Sequence, residues 1–135
     1  RDAEHVSRWT WVSYKGKGGR ILRVVTLYRP CGSKDGSTTC FSQQVRYFSK
    51  QRREGDPRQL MMDDLKKDLD RWHSQGNLLI VMGDFNIAFH HNQRNSIEKA
   101  LEERDIINPI TERYGRAHAP NTHSQGSHPI DAIFC

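Results

Sequence analysis

The hydrophobic pattern opens with two strand-like stretches separated by a glycine-rich reversal. Residues 8–14 and 21–28 are rich in β-branched and aromatic side chains, and the glycines of segment 15–19 permit the positive φ that a reversal needs. This pattern predicts a β-hairpin. Apolar side chains fall on both faces of residues 24–27, which predicts that the second strand lies inside a sheet rather than at its edge.

A short helix is predicted after the hairpin. Residues 29–36 have the composition of a loop, with Pro30 and two glycines. The helix begins near Thr38 or Thr39. Its apolar stripe follows the spacing i, i+4, i+7 and consists of Phe41, Val45 and Phe48.

The next helix has clearer start and stop signals. Asp56 is the predicted N-cap, Pro57 occupies the first helical position, and Gln59 follows three residues after the cap. Gly76 ends the helix. The predicted buried stripe is Met61, Leu65, Leu69 and Trp72.

The rest of the chain alternates strand and helix. Residues 78–82 are an all-apolar run directly after a helix, which predicts a central strand covered on both faces. Asn95, with Glu98 three residues later, predicts a helix that continues to about Arg104. Residues 130–134 are the last strand candidate, so the predicted order is β-β-α-α-β-α-β and the fold class is mixed α/β.

Charge is distributed unevenly along the 135 residues. The net charge is +5, but residues 1–60 carry 13 Lys and Arg against 5 Asp and Glu, whereas residues 61–135 carry 8 against 11. Arginine outnumbers lysine 14 to 7, and its planar guanidinium favours bidentate phosphate contacts. The basic half therefore suits a polyanionic partner, although a solvated basic surface would have the same composition.

Several classes of protein do not fit this composition. The longest apolar run, residues 78–82, is far shorter than the roughly 18 residues of a membrane span. The three cysteines form no C-x-x-C pair, and the seven histidines lack the spacing of a zinc site, so neither a disulfide framework nor a zinc site is predicted. Reduced thiols in an intracellular protein are expected.

The hexapeptide from Gly83 to Ala88 carries the strongest chemical signal, because it follows the buried strand. Residues two apart on an extended chain point to the same side, so Asp84 and Asn86 are expected to face one cavity while Phe85 turns toward the core. A carboxylate can orient or deprotonate an attacking water, and a neutral amide can donate to a phosphoryl oxygen without adding a repelling charge. Gly83 leaves room for close backbone approach. The same residues also suit a polar turn.

Other candidate residues adjoin the predicted strands. Asp131 lies in an apolar strand, where a buried carboxylate must be paired and often holds an imidazole in its useful tautomer. Tyr28 and Arg29 end the inner hairpin strand, and a tyrosine hydroxyl there could reach a phosphate. Both also have structural interpretations, as an Asp bonded to a neighbouring loop and as an interfacial tyrosine. Residues 122–126 are expected to form a loop beside the same cleft.

Three segments are more specific together than apart. They are Tyr28-Arg29-Pro30 after a strand, Gly83-Asp84-Phe85-Asn86 after an apolar strand, and Ile130-Asp131-Ala132-Ile133-Phe134 near the end. In order and spacing they resemble the endonuclease/exonuclease/phosphatase superfamily, over about Trp9 to Cys135. This superfamily includes abasic-site endonucleases, DNase I-like nucleases, inositol-phosphate phosphatases and the endonuclease domains of non-LTR retroelements.

The resemblance implies a four-layer α/β sandwich of two facing mixed sheets, which hydrolyses phosphoester bonds with Mg²⁺ or Mn²⁺. By the same resemblance, Asp84 would activate or position the attacking water and Asn86 would bind the scissile phosphate. Both would also contact the metal ion. Tyr28 and Arg29 would contact the phosphate, and Asp131 would orient a catalytic histidine.

The resemblance also implies groups that this sequence does not contain. The family's early Asn and metal-binding Glu have no counterpart before the hairpin, and no Ser-Asp-His follows the last strand. The chain starts with Arg1, and residues 131–135 look like a strand cut off in mid-run. We therefore expect an interior portion of a domain, with the principal metal ligands outside it and with little or no hydrolysis by these residues alone.

Three functions stay open on the sequence. The leading hypothesis is a DNA endonuclease, a monomeric domain within a larger polypeptide; the arginine-rich segment at Arg29 favours the retroelement type, which would be nuclear. A phosphoesterase acting on phosphoinositides or other small molecules would keep the same fold. A catalytically inactive remnant that binds nucleic acid is the third hypothesis.

Overall fold

A four-stranded mixed sheet organises the computed structural model, which describes residues 2, 6–32, 36–89, 93–116, 120–122 and 128–135. The strands are β1 (Trp9–Lys15), β2 (Ile21–Tyr28), β3 (Leu78–Asp84) and β4 (Asp131–Phe134). The α-helices are α1 (Cys40–Lys50), α2 (Pro57–Ser74), α3 (Ser96–Glu102) and α4 (Pro109–Tyr114). The mixed α/β class is confirmed, while α4 has no counterpart in the predicted order. In the described part of the chain, no helix has both the length and the apolar character of a membrane span.

The sheet order is β1-β2-β3-β4, and the hairpin prediction is confirmed. Strands β1 and β2 pair antiparallel, from Trp9 opposite Leu27 to Lys15 opposite Ile21. Strand β3 pairs parallel with β2. Parallel neighbours need a long crossover connection, and α1 and α2 supply it. Strand β4 then pairs antiparallel with β3. The second strand therefore lies inside the sheet, as predicted.

Polar caps begin the helices close to the predicted positions. Thr39 caps α1, and Asp56 caps α2 through its side chain. Asn95 and Glu98 form the predicted capping box of α3, in which each side chain bonds the other residue's backbone N–H. Gln59 does not complete a capping box on α2; its amide donates to a carboxylate one turn further along the helix.

Helices α2 and α3 pack against one face of the sheet. All four predicted stripe residues of α2, Met61, Leu65, Leu69 and Trp72, are buried. They share one core cluster with Val25, Leu27 and Val81 of the central strands. In α1, Phe41 and Phe48 are buried as predicted, but Val45 is 37% exposed and Gln44 is buried in its place.

The opposite, open face of the sheet is exposed along β1 and at the start of β3 in the described part of the chain. Val12, Tyr14 and Leu78 on this face are 51%, 59% and 55% exposed. The expectation that residues 78–82 are covered on both faces is therefore wrong for this structure, because Leu79 and Val81 are buried while the alternate positions are not. The described residues form one sheet, so the coarser α/β assignment holds and a second facing sheet is not among them.

Candidate functional site

Three of the predicted site residues form one row across the sheet. Tyr28 at the end of β2 is the register partner of Asp84 at the end of β3, and Asp84 is the partner of Asp131 at the start of β4. Directly paired residues on neighbouring strands present their side chains on the same face. The row therefore lies on the open face, at one end of the sheet.

Asn86 joins this row through a tight turn after β3. Its backbone N–H donates to Asp84 Oδ1 at 2.8 Å, and its side-chain Nδ2 donates to Asp84 Oδ2 at 3.1 Å. Phe85 between them is fully buried, with its ring 5.5 Å from those of Phe89 and Phe134. The predicted burial of Phe85 is confirmed, and the side chains of Asp84 and Asn86 lie together. The left-handed φ of 45° at Asn86 shows that the same residues also make a polar turn.

Gly83 allows β2 and β3 to approach closely just before the turn. A Cβ atom at this position would overlap the carbonyl oxygen of Leu27 and lie 2.9 Å from its carbonyl carbon. The φ of Gly83 is 142°, a backbone angle that residues other than glycine rarely adopt. Only glycine therefore fits, and the next residue along β3, Asp84, is the register partner of Tyr28 on β2.

Arg29 fastens the turn to the end of β2. Its Nη1 donates to the main-chain oxygens of Phe85 and Asn86 at 3.2 and 3.3 Å. Its backbone N–H donates to the main-chain oxygen of Asp84 at 2.8 Å. Burial lowers the pKa of Arg29, and the nearby positive charge of Arg58 lowers it further. The predicted phosphate ligand thus acts in this structure as a clamp on the turn. Arg58, which the sequence did not single out, is its cationic neighbour.

Tyr28 presents its hydroxyl to the same turn. Its side chain is 43% exposed and is hydrogen-bonded to the side chain of Asn86. Partial burial raises the pKa of Tyr28, and the nearby side chains of Cys31, Cys40 and Asp84 raise it further, whereas the side chain of Asn86 opposes this. A raised pKa keeps the phenol protonated at neutral pH, so that it can donate a hydrogen bond.

Asp131 differs from its prediction. The carboxylate was expected to be buried within an apolar strand, but Asp131 is exposed because it lies on the open face of the sheet, at the start of β4. Its backbone N–H and that of Ile130 donate to Thr122 Oγ1 at 3.1 and 2.9 Å. Thr122 thus ties its loop to the row. Residues 123–127 of the predicted loop lie outside the described residues.

A cavity of about 340 Å³ opens beside Asp131. Its walls are mainly apolar and come from Met82, Phe89, Ile110, Pro129 and Ile133. Thr122 and Arg116 add polar groups, and Arg116 is held by a 2.7 Å ion pair to the buried carboxylate of Glu98. An apolar recess therefore adjoins the polar row.

The donor atoms of the row are oxygens, which are the ligands that Mg²⁺ prefers. Asp84 and Asp131 supply carboxylates on neighbouring strands, and Asn86 supplies a side-chain oxygen. This donor set fits part of a magnesium site. Among the described residues there is no group of three or more His, Cys, Asp or Glu that could hold a metal ion. His90, His91, His118 and His123 lie outside the described residues.

Comparisons with known proteins identify no family. No family model matches the sequence, and no curated protein matches it. Among solved structures, the chain is similar to beta toxin 275-280 from Staphylococcus aureus, with 10% identity and a TM-score of 0.38. The match covers 93% of this chain but 41% of that one, so the chain spans less than half the length of the beta toxin chain. Likeness at this level does not establish a shared fold, and neither fold nor function is inferred from it.

Proposed function

We propose that the row at the end of the sheet is part of the active site of a divalent-metal-dependent DNA endonuclease. The observation that carries the proposal is the alignment of Tyr28, Asp84 and Asp131 across three strands, with Asn86 bonded to Asp84. Phosphodiester hydrolysis needs a group that positions water, donors for the phosphoryl oxygens and positive charge. These residues supply the first two on one open face.

Each side chain has a role that its contacts support. Asp84 Oδ1 and Oδ2 each accept one hydrogen bond from Asn86, and these bonds fix the carboxylate at the end of β3, where it would position an attacking water. Tyr28, which stays protonated, donates to a phosphoryl oxygen. Arg29 attracts the phosphate through its charge, since its Nη1 is committed to the turn.

Asn86 can serve either the phosphate or the metal. Its two amide N–H groups point to the Arg29 oxygen at 2.6 Å and to Asp84 at 3.1 Å, and the longer bond is the one that a phosphoryl oxygen would replace. By the resemblance, its side-chain oxygen would contact the metal ion. Mg²⁺, when bound, would supply charge stabilisation for the developing phosphoryl charge. The resemblance assigns the principal metal ligands, and the histidine that Asp131 would orient, to positions outside this sequence.

The open face of the sheet supports the finer fold proposal. Val12, Tyr14 and Leu78 expose apolar surface there, and a sheet with one apolar face uncovered is complete only when another layer packs on it. We therefore retain the four-layer sandwich as part of the proposal. In it, a second sheet would cover this face and leave the row at its rim.

Hydrolysis assays test the function. Because catalytic groups are expected beyond these residues, the assay uses a longer polypeptide that includes the flanking sequence, and the 135-residue chain alone is expected to nick little or not at all. Supercoiled DNA and inositol phosphates are incubated in parallel with Mg²⁺ or Mn²⁺. Nicking that is abolished by Asp84→Ala, but kept by the control variant Asp63→Ala on α2, supports the proposal.

Two results would overturn the nuclease assignment. Release of inorganic phosphate without nicking would identify the small-molecule phosphoesterase. DNA binding without hydrolysis of either substrate would identify the inactive remnant.

A further inference from the structure

We propose that the tip of the hairpin, residues 15–20, is a second contact surface for the phosphate backbone of a polynucleotide. Lys15, Lys17 and Arg20 are all exposed there. The ion pairs of the described residues involve none of these three cations. Three solvated positive charges within six residues form a compact anion-attracting surface.

The surrounding sequence explains why this charge is not neutralised. Residues 5–34 contain 7 Lys and Arg and no Asp or Glu. The fold uses several of these cations internally. Arg8 is buried against Asp2 and Asp64, at 2.6 and 3.0 Å, and Arg23 lies between the rings of two tryptophans. The cations of the tip, in contrast, are exposed to solvent and can contact an anionic partner.

The backbone of the tip is open to a ligand. The Gly16 N–H donates to the Arg20 oxygen at 2.7 Å and closes the turn. Gly18 and Gly19 adopt positive φ, and a Cβ atom on either would have no neighbour within 4 Å. The space above the turn is therefore free for an approaching phosphate, and glycine keeps the backbone amides accessible.

The tip is separate from the candidate site. It lies at the start of β2, whereas Tyr28 ends that strand, and seven residue steps at about 3.3 Å each place the two about 23 Å apart. One phosphate cannot reach both. A nucleic acid strand advances about 3.4 Å per nucleotide, so about seven nucleotides would connect them. The choice of a polynucleotide over other polyanions rests on the proposed function.

Binding measurements without hydrolysis test the surface. The 135-residue chain is titrated with a fluorescent DNA duplex of about 20 base pairs in EDTA, between about 50 and 200 mM salt. We expect the variant K15Q/K17Q/R20Q to bind at least about tenfold more weakly at 0.1 M salt. The slope of its log affinity against log salt concentration should become less negative by about 2 to 3, since each phosphate contact contributes about −0.9 to the slope.

The control removes the same charge elsewhere. Lys50, Arg52 and Lys99 are exposed and are also absent from the ion pairs of the described residues. The variant K50Q/R52Q/K99Q therefore loses two lysines and one arginine, as the tip variant does. This variant should lose less than about threefold. Thermal melting confirms that both variants fold, and Lys17→Gln alone, with a slope change of about 1, replaces the triple variant if that variant unfolds.

Three outcomes would overturn the proposal. They are unchanged DNA binding by the tip variant, equal loss in the control, and loss of binding to anionic phospholipid vesicles with DNA binding intact. The Asp63→Ala variant, on α2 and outside both surfaces, should bind DNA as the unmodified chain does. Failure of the tip is thus seen in binding, whereas failure of the proposed active site is seen in hydrolysis.

Discussion

Arg29 and Asn86 hydrogen-bond to each other in both directions. The Asn86 side chain donates to the Arg29 main-chain oxygen at 2.6 Å, and the Arg29 guanidinium donates to the Asn86 main-chain oxygen at 3.3 Å. The two residues are 57 positions apart, so the pair joins the loop after β2 to the loop after β3. Asp84 depends on this pair, because Asn86 bonds both of its carboxylate oxygens.

Replacing Arg29 should loosen the turn that holds Asp84. Arg29→Gln removes the guanidinium contacts to two carbonyl oxygens, and we expect a loss of about 1 to 3 kcal/mol in the free energy of unfolding, measured by urea denaturation. Arg20→Gln, at the exposed hairpin tip, is the control and should change stability by less than about 0.5 kcal/mol. Equal stability of the two variants would contradict the clamp.

Two glycines should respond very differently to alanine. Gly83→Ala forces a methyl group into the Leu27 carbonyl, so we expect a loss of more than about 4 kcal/mol or failure to fold. Gly18→Ala also meets a positive φ, of 73°, but has free space around it, and should lose about 1 to 2 kcal/mol. Urea denaturation compares them. A mild effect at Gly83 would mean that β2 and β3 are farther apart than described.

Removing the charge of Asp131 should stabilise the chain. Asp131 lies opposite Asp84, and like charges in directly opposed cross-strand positions are unfavourable by about 0.2 to 1 kcal/mol. Asp131→Asn should therefore raise the melting temperature slightly at low salt, and the gain should vanish near 1 M salt, where charges are screened. A carboxylate with a purely structural role would show the reverse, a loss of stability on substitution.

The titration of Tyr28 should report on both of its polar neighbours. Because the charge of Asp84 raises the pKa of Tyr28 and the Asn86 bond lowers it, Asp84→Asn should decrease that pKa and Asn86→Ala should increase it. Carbon-13-labelled tyrosine followed by NMR measures the titration, and Tyr28→Phe identifies the resonance. Asp63→Asn is the control and should leave the titration unchanged. Shifts of the same sign in both site variants would contradict the described contacts.

The pH dependence of stability should trace in part to Asp64. Burial alone would raise the pKa of Asp64, but hydrogen bonds from Arg53, Lys67 and Arg8 outweigh it and hold the pKa below its ordinary value of 3.8. A depressed folded-state pKa contributes stability above the unfolded value, and this stability is lost as pH falls through the folded value. Asp64→Asn should therefore be less stable by about 2 kcal/mol at neutral pH, and the deficit should shrink below about pH 4.

Thermal melting at several pH values measures this deficit, with Asp63→Asn as the control. Asp63 is the neighbouring carboxylate on α2 and accepts a bond from Gln59, with no ion pair among the described residues. A deficit in Asp64→Asn that stays constant down to strongly acidic pH would show that its carboxylate is not the group involved.

Local signals in the sequence were sufficient for most of the elements. The caps at Asp56 and Asn95 and the apolar stripe of α2 depend on contacts within one or two helical turns, so spacing alone predicts them. Helix α4 was missed because it has six residues and buries none of them. The burial of Asp131 was predicted wrongly, because burial depends on the face of the sheet on which the side chain lies, and pairing with β3 puts Asp131 on the open face.

The sequence by itself determined which chemical groups this protein has and where most of its helices and strands lie. It placed Asp84 and Asn86 after a buried strand and turned Phe85 toward the core, since alternation along an extended chain is a local property. Only the tertiary structure decided that Tyr28, Asp84 and Asp131 form one row. Register between distant strands is not local, and a slip of one residue would turn such a side chain to the opposite face of the sheet.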